Sequence, residues 1–401
     1  MVGATGPNTG KTEFVCRVIE KQRGRRPITG VKVAAVKPGE RCQRGRDDCN
    51  ICSHLEGDFE ITRETDPGLS KDTSRMLAAG ADKVFFLKVR SDALEKGLHE
   101  VLKLIPEDSM VACESNSLRK VMEPGLFIII KNAGERSVKK SCADVIEYAD
   151  KITEFDNSGR DFDPGRVHIK NNSWIIREKA SAIVLAGGKS SRMGREKPLM
   201  TIGEKPLVEV IISQLEGFFD EIILGASNGK KYRFLNCRIA EDKKRGMGPL
   251  MGIMSSLSAS SSDVNFITAC DIPEMNIPFI KKMIRHSEDA DVVMPVKNQK
   301  YEPLFAIYKK NVAGLIQKIL DNKGRRITEL FDYARVKTIP FENTGWYYNI
   351  NTKNNYSDYI EKKVKASEER RSHYLAGLQS TIVISSSRWP APAKISVINI
   401  M

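Results

Sequence analysis

A glycine pair, Gly187-Gly188, is trailed by four cations, Lys189, Arg192, Arg195 and Lys197. Missing Cβ atoms let the backbone turn sharply and approach a ligand closely. Amide N–H groups in such a turn can face phosphate oxygens. With the cations added, the stretch suits the gripping of a triphosphate. Farther on, Asp271 ends the run Asn265-Phe-Ile-Thr-Ala-Cys270. A carboxylate there can cap a helix, but beside a phosphate loop it suits Mg2+ bridging phosphates. Near the N-terminus, Gly6, Thr9, Gly10, Lys11 and Thr12 precede Glu13-Phe-Val-Cys-Arg-Val-Ile. Gly-Lys-Thr opening a helix is the working end of a P-loop: Lys11 reaches β/γ-phosphates and the Thr12 hydroxyl takes a Mg2+ position. The first glycine of the usual spacing is replaced by Thr5, with Gly3 and Gly6 beside it. Cys42, Cys49, Cys52 and His54 supply four donors of tetrahedral zinc type, or else reduced thiols in a basic loop. No Ser/His/Asp or Cys/His nucleophile arrangement stands out.

These groups need strands that end where they begin. Ala182–Ala186 reads as a buried strand, being short, apolar and β-branched. Glu221–Gly225 and Asn265–Cys270 read likewise, and Lys205–Leu215 has helical apolar spacing. In the first half, Val31–Val36, Val84–Val89, Met110–Cys113 and Gly125–Ile130 are the strand candidates, with only Met1-Val2 before Gly3. Strands alternating with helices predict two α/β domains, each a mostly parallel Rossmann-like sheet with helices on both faces. Such sheets place ligands at their carboxyl edge. Asp, Asn, Gly and Pro cluster over 156–165, so the expected division is 1–155, a linker at 156–178, a second domain at 179–362, and a charge-rich helix and tail at 363–401.

Composition narrows the partners. The 401 residues carry a net charge of +13, which asks for acidic ligands. Aromatics make up only 7%, too few for base-stacking platforms, and no nucleic-acid-binding motif is present. No apolar run reaches the roughly 18–20 residues of a membrane span, and no charged segment precedes an apolar one at the start. The expected location is cytoplasmic, with neither nucleic acid nor membrane as partner.

The string Leu185-Ala-Gly-Gly-Lys-Ser-Ser-Arg-Met-Gly-Arg-Glu-Lys197 resembles the signature loop of nucleotidyltransferases, and matches downstream narrow it to the MobA family, the molybdenum cofactor guanylyltransferases. The resemblance covers about 180–362. It implies that Leu185, Ala186, Gly187, Gly188, Lys189 and Lys197 hold the nucleotide, with Arg192, Lys197 and Asp271 catalytic and Asp271 on Mg2+. Glu241-Asp242 and the loop Gly248-Pro249-Leu250 lie around base and ribose, Asp242 matching an aspartate suited to the N1–H/N2–H₂ edge of guanine. Segments at Glu302-Pro303 and Asn349-Ile-Asn351 are associated with the pterin substrate. The first half resembles MobB-type P-loop proteins through Ser70-Lys-Asp72-Thr-Ser-Arg75, Ala78-Ala-Gly80-Ala and the strand ending at Glu114, which would sit near Mg2+ or its water.

The implied reaction is transfer of GMP from GTP to the terminal phosphate of molybdopterin, releasing pyrophosphate. Alternatives are CMP transfer to the same cofactor, transfer to another phosphorylated acceptor, or a nucleotide-binding adaptor delivering cofactor, with molybdoenzyme apoproteins or cofactor-assembly proteins as the implied protein partners.

Overall fold

The computed structural model describes residues 1–36, 55–134, 138–156, 159–187, 196–297, 299–341, 345–363 and 365. Among the described residues the chain divides into two compact units, Met1–Arg177 and 178–365.

In the first unit the elements run β1 (Val2–Ala4), α1 (Lys11–Gln22), β2 (Ile28–Val36), β3 (Phe59–Glu64), α2 (Asp72–Ala78), β4 (Lys83–Arg90), α3 (Leu94–Lys103), β5 (Met110–Glu114), β6 (Ile128–Asn132), α4 (Lys140–Ala143), β7 (Lys151–Asp156), β8 (Gly159–Arg160), β9 (Val167–Lys170) and β10 (Ser173–Ile176). The sheet order is β3-β4-β2-β5-β1-β6-β7-β8. Its six inner strands are parallel, and β3 and β8 close the edges antiparallel. Helix α1 spaces Phe14, Val15, Val18 and Ile19 so that one stripe is buried against the sheet with Met76 of α2. Leu94, Leu98 and Val101 of α3 cover the other face.

The turn-rich 156–178 stretch is not a bare linker. Phe162 stacks on Phe14 at 6.3 Å, Val167 is buried, and Trp174 donates from Nε1 to the Val111 carbonyl at 3.1 Å. Turn composition marks where a chain reverses. It does not reveal that three apolar side chains between the turns find a core.

In the second unit the order is β11 (Glu178–Leu185), β12 (Thr201–Ile202), β13 (Lys205–Pro206), α5 (Leu207–Leu215), β14 (Phe219–Ala226), β15 (Arg238–Glu241), α6 (Pro249–Ala259), β16 (Val264–Ala269), α7 (Ile277–Arg285), β17 (Val292–Lys297), β18 (Lys300–Tyr301), β19 (Phe305–Lys309), α8 (Val312–Asp321) and β20 (Val336–Pro340). The parallel core is β15-β14-β11-β16. Beyond β16 the expectation of a mostly parallel sheet fails: β19 pairs antiparallel with β16 and with β17, β18 pairs antiparallel with β17, and β20 joins β17 in parallel. The sheet is mixed, because a short return from β17 through β18 leads straight back into β19 where a parallel crossover needs a dozen or more residues. Alternating residues of β11 serve two cores. Ala182 and Val184 pack with α5 and α7, while Ile183 and Leu185 pack with α6 and α8.

Among the described residues no helix is long and apolar enough to cross a membrane. The expected charge-rich segment and tail lie outside the described residues from 366 on.

Candidate active site

Four parallel strands of the second unit end together, and their ends are stitched to one another. Ala186 N donates to the Gly225 carbonyl at 2.8 Å, Cys270 N to Leu185 at 3.1 Å, and Asp242 N to Ala226 at 3.1 Å. In-register pairing of Leu185 with Gly225 and Ala269 brings Ala186, Gly187, Asp242 and Asp271 to one sheet edge. This is the crevice position that α/β sheets offer to ligands.

Asp271 follows β16 by two residues. Its Oδ2 lies 3.5 Å from Lys197 Nζ, and that ammonium is also 3.3 Å from Asn351 Oδ1. Lys197 comes from a short 3-10 turn, Lys197–Leu199, rigidified by Pro198. Asn351 is held by the Ile350 N–H on the Asp271 carbonyl, 2.8 Å. Three stretches far apart in sequence thus place a cation, a carboxylate and an amide at one point. The Lys197 side chain is 14% exposed and Asp271 29%, so the charges are partly shielded but reachable.

Asp242 faces a different corner. Burial raises its carboxyl above the ordinary carboxylate value, and a hydrogen bond from Ser227 opposes that rise. Gly252 of α6 looks onto this carboxylate: a Cβ there would stand 3.5 Å from Asp242 Oδ1 and 3.6 Å from Leu185 Cδ2. Helix α6 begins at Pro249, after Gly248 with φ 80°, a backbone that glycine alone adopts easily. Leu250 is fully buried beneath it.

On the proposed pterin side, Glu302 Oε2 accepts from the Tyr347 hydroxyl at 2.6 Å, and the Pro303 carbonyl accepts from Tyr308 at 2.8 Å. Burial, then the Glu302 bond, pushes the Tyr347 hydroxyl up, while a bond with Asn349 opposes. Cys270, next to Asp271, is pushed up to about 12 by burial, so it stays a neutral thiol and no nucleophile.

In the first unit, the loop after β1 reaches α1 through Gly10, at φ 69°. Thr12 Oγ1 donates to Glu114 Oε2 at 2.8 Å, and Lys32 lies 3.3 Å from Glu114 Oε1 while also pairing with Asp72. Burial pulls Lys11 below its ordinary value, with Glu114 opposing. Gly6 and Thr9 lie in the same loop, and the hydroxyls of Thr5 and Thr9 are buried without a hydrogen-bond partner. Such orphans are costly unless a ligand or water meets them.

Gly188, Lys189, Arg192 and Arg195 lie outside the described residues, as do Cys42, Cys49, Cys52 and His54. Ser227, Tyr347 and Lys32 were not singled out from sequence, and only Ser227, at a strand end, carried any local signal. A cavity of about 620 Å3 lined by Arg23, Arg25, Arg26 and Gly80 opens at the amino ends of β2 and β4, away from these groups.

The MobA-like NTP transferase domain family matches residues 182–336. A probable molybdenum cofactor guanylyltransferase of Carboxydothermus hydrogenoformans is 34% identical over 165 residues, 41% of this chain and 83% of its own length. One of Clostridium perfringens is 34% identical over 195 residues, 46% of this chain and 98% of its own. The solved structure of molybdopterin-guanine dinucleotide biosynthesis protein A from Archaeoglobus fulgidus is 21% identical, covering 46% of this chain and 99% of that one, with a TM-score of 0.42.

Proposed function

Through its C-terminal part the chain belongs to the MobA-like molybdenum cofactor guanylyltransferases, and we propose that Lys197, Asp271, Asn351 and Asp242 carry its transfer of GMP from GTP to the terminal phosphate of molybdopterin. The acceptor phosphate oxygen bonds to the α-phosphorus as the α–β bridging P–O bond breaks and pyrophosphate leaves. The nucleophile is already an anion, so no side chain has to create one. What the protein supplies is alignment and charge neutralisation. Lys197 stands where it can meet charge building on the phosphates, and Asn351 fixes its ammonium. Leu185, Ala186 and Gly187 end the strand on which the nucleotide would lie, and Asp242 can accept two hydrogen bonds from guanine.

Asp271 fits the magnesium that such transfers use, because Mg2+ commonly takes one or two carboxylates and completes its shell with phosphates and water. When bound, the ion would neutralise phosphate charge. Among the described residues no group of three or more His, Cys, Asp or Glu is placed to hold a metal.

For the first unit, we propose nucleotide binding on the Gly6–Thr12 loop, with Thr12 and Glu114 toward Mg2+. The support is the pair of buried hydroxyls without a hydrogen-bond partner at Thr5 and Thr9, in the segment that leads into Lys11. That reading leaves room for an adaptor role beside the transferase.

The observation that carries the transferase reading is the meeting of Lys197 with Asp271 at the edge where Asp242 also lies. Incubation with molybdopterin and each nucleoside triphosphate in turn, following pyrophosphate, tests it. GTP should be consumed far faster than CTP, ATP or UTP; equal release from CTP would favour cytidylyl transfer.

A further inference from the structure

We propose that Arg160 is a positioning residue that clamps the proposed phosphate loop of the first unit from the strand edge beyond β7. The proposal rests on reading residues 6–12 as a nucleotide site. Arg160 pairs with Phe155 across the β7–β8 hairpin, in the stretch whose composition promised only a linker. From there its side chain reaches back to the start of the chain. Nη2 donates to the Gly10 carbonyl at 3.0 Å. The same carbonyl accepts from Phe14 N at 2.9 Å, the first hydrogen bond of α1. Gly10 is the left-handed residue that turns the loop into the helix, and Lys11 and Thr12 follow it directly. One guanidinium therefore fixes the peptide that leads directly into Lys11 and Thr12, the proposed phosphate and magnesium groups.

Its surroundings are built for that contact. The Arg160 side chain is only 10% exposed, and the charge lies 5.2 Å from the Phe155 ring and 5.9 Å from that of Phe14. Nη1 pairs with the half-exposed Glu13 carboxylate at 3.6 Å, an ion pair longer than a hydrogen bond. Nε is buried and has no partner. Among the described residues, the one hydrogen bond that the guanidinium makes with its five donors is to the Gly10 carbonyl, so its directional contact falls on the loop itself. Gly10 also leaves room for it: a Cβ at that position would come within 2.5 Å of Nη2.

The full chain would be titrated with β,γ-imido analogues of ATP and GTP and with the bare nucleosides, as wild type and as Lys11→Ala, Arg160→Ala and Arg160→Lys. The isotherm that Lys11→Ala removes belongs to the first unit. Losing a charge-assisted hydrogen bond that orients the loop should weaken that isotherm by about tenfold or more, for both Arg160 variants. Lysine keeps the charge but not the planar fork. Amides of residues 11–14 should exchange hydrogen faster in Arg160→Lys without nucleotide, and nucleoside affinity should not change. Wild-type triphosphate affinity in both Arg160 variants, with binding still lost in Lys11→Ala, would overturn the clamp and leave the nucleotide site standing. Binding untouched by Lys11→Ala would overturn the nucleotide site and the clamp with it. If Arg160→Ala fails to fold, the Arg160→Lys affinity and exchange decide alone.

Discussion

Lys197 and Asp271 meet at 3.5 Å between Nζ and Oδ2, with Asn351 completing the contact. A pair at that separation beside a ligand-facing strand end adds little to stability, and its arrangement is better suited to sharing the charge of a bound triphosphate. Lys197→Ala and Asp271→Asn should each lower kcat by about 10²–10³-fold. Lys197→Ala should disturb KM for GTP less, because charge on the leaving pyrophosphate grows only in the transition state. If the two act as a unit, the double variant should be little worse than either single one. Pyrophosphate-release kinetics on the four proteins measure this; fully multiplicative losses would mean independent roles.

Asp242 should select the base and give that selection a pH limit. Its carboxyl lies above the ordinary 3.8 because burial outweighs the Ser227 bond. It therefore protonates at a higher pH than exposed carboxylates, and only the ionised form accepts from both N1–H and N2–H₂ of guanine. KM for GTP should rise on acidification at a higher pH than an unshifted carboxylate would give, and Asp242→Asn should abolish that limb. The GTP-over-CTP preference, expected to be on the order of a hundredfold, should narrow in Asp242→Ala chiefly through weaker GTP use. Competition between both nucleotides in one reaction gives the ratio directly.

Acid stability should depend on Asp291. Hydrogen bonds from Arg335, and others opposed by burial, hold its carboxyl down at about 2. A depressed acid contributes fully above its ordinary 3.8 and loses that contribution as the pH falls toward about 2. The Arg335 side chain is 67% exposed and so well screened, which keeps the contribution on the order of 1 kcal/mol. Asp291→Asn should lower the unfolding free energy from denaturant titration by that amount near neutrality, with the gap closing as the pH is lowered from about 4 toward about 2. A gap constant across that range would remove the charge from the explanation.

The units should separate at Arg177–Glu178 and nowhere earlier. Arg177 N bonds to the Arg166 carbonyl within the first unit, and Glu178 N bonds to Phe218 within the second. A 178–365 fragment should fold and retain guanylyl transfer. A 1–155 fragment should be unstable, since it lacks Phe162, Val167 and Trp174; Trp174→Ala in the full chain should cost the first unit about 3–5 kcal/mol. Circular dichroism melts of both fragments check this, and a stable 1–155 fragment would return the 156–177 stretch to linker status.

The strand ends were legible because their chemistry is local: an apolar run followed by Asp271, or by Gly187, announces itself within a few residues. Lys197 was legible from its motif, but its meeting with Asn351 was not, since only the fold brings residues so distant together. Ser227 beneath Asp242 and Tyr347 on Glu302 escaped for the same reason. The antiparallel entry of β19 was invisible because a short apolar run reads alike in either direction. Arg160 was hidden by its neighbours, Asp, Asn and Gly, which signal a turn and say nothing of what the turn delivers.

Gly252 sits inside helix α6, where alanine would be favoured by about 1 kcal/mol on backbone grounds. The neighbouring atoms, at 3.5 and 3.6 Å from where a methyl group would go, would tolerate it. Gly225 is the opposite case, since a Cβ there would lie 2.5 Å from Ser256 Oγ. Replacing Gly225 is therefore a folding lesion, which heat or protease would expose. With the base placed against Asp242 as proposed, a methyl group at Gly252 would be a lesion that the empty protein conceals and only an incoming nucleotide detects, so a search for hardier variants scored by melting alone would drift toward alanine there at the expense of nucleotide use.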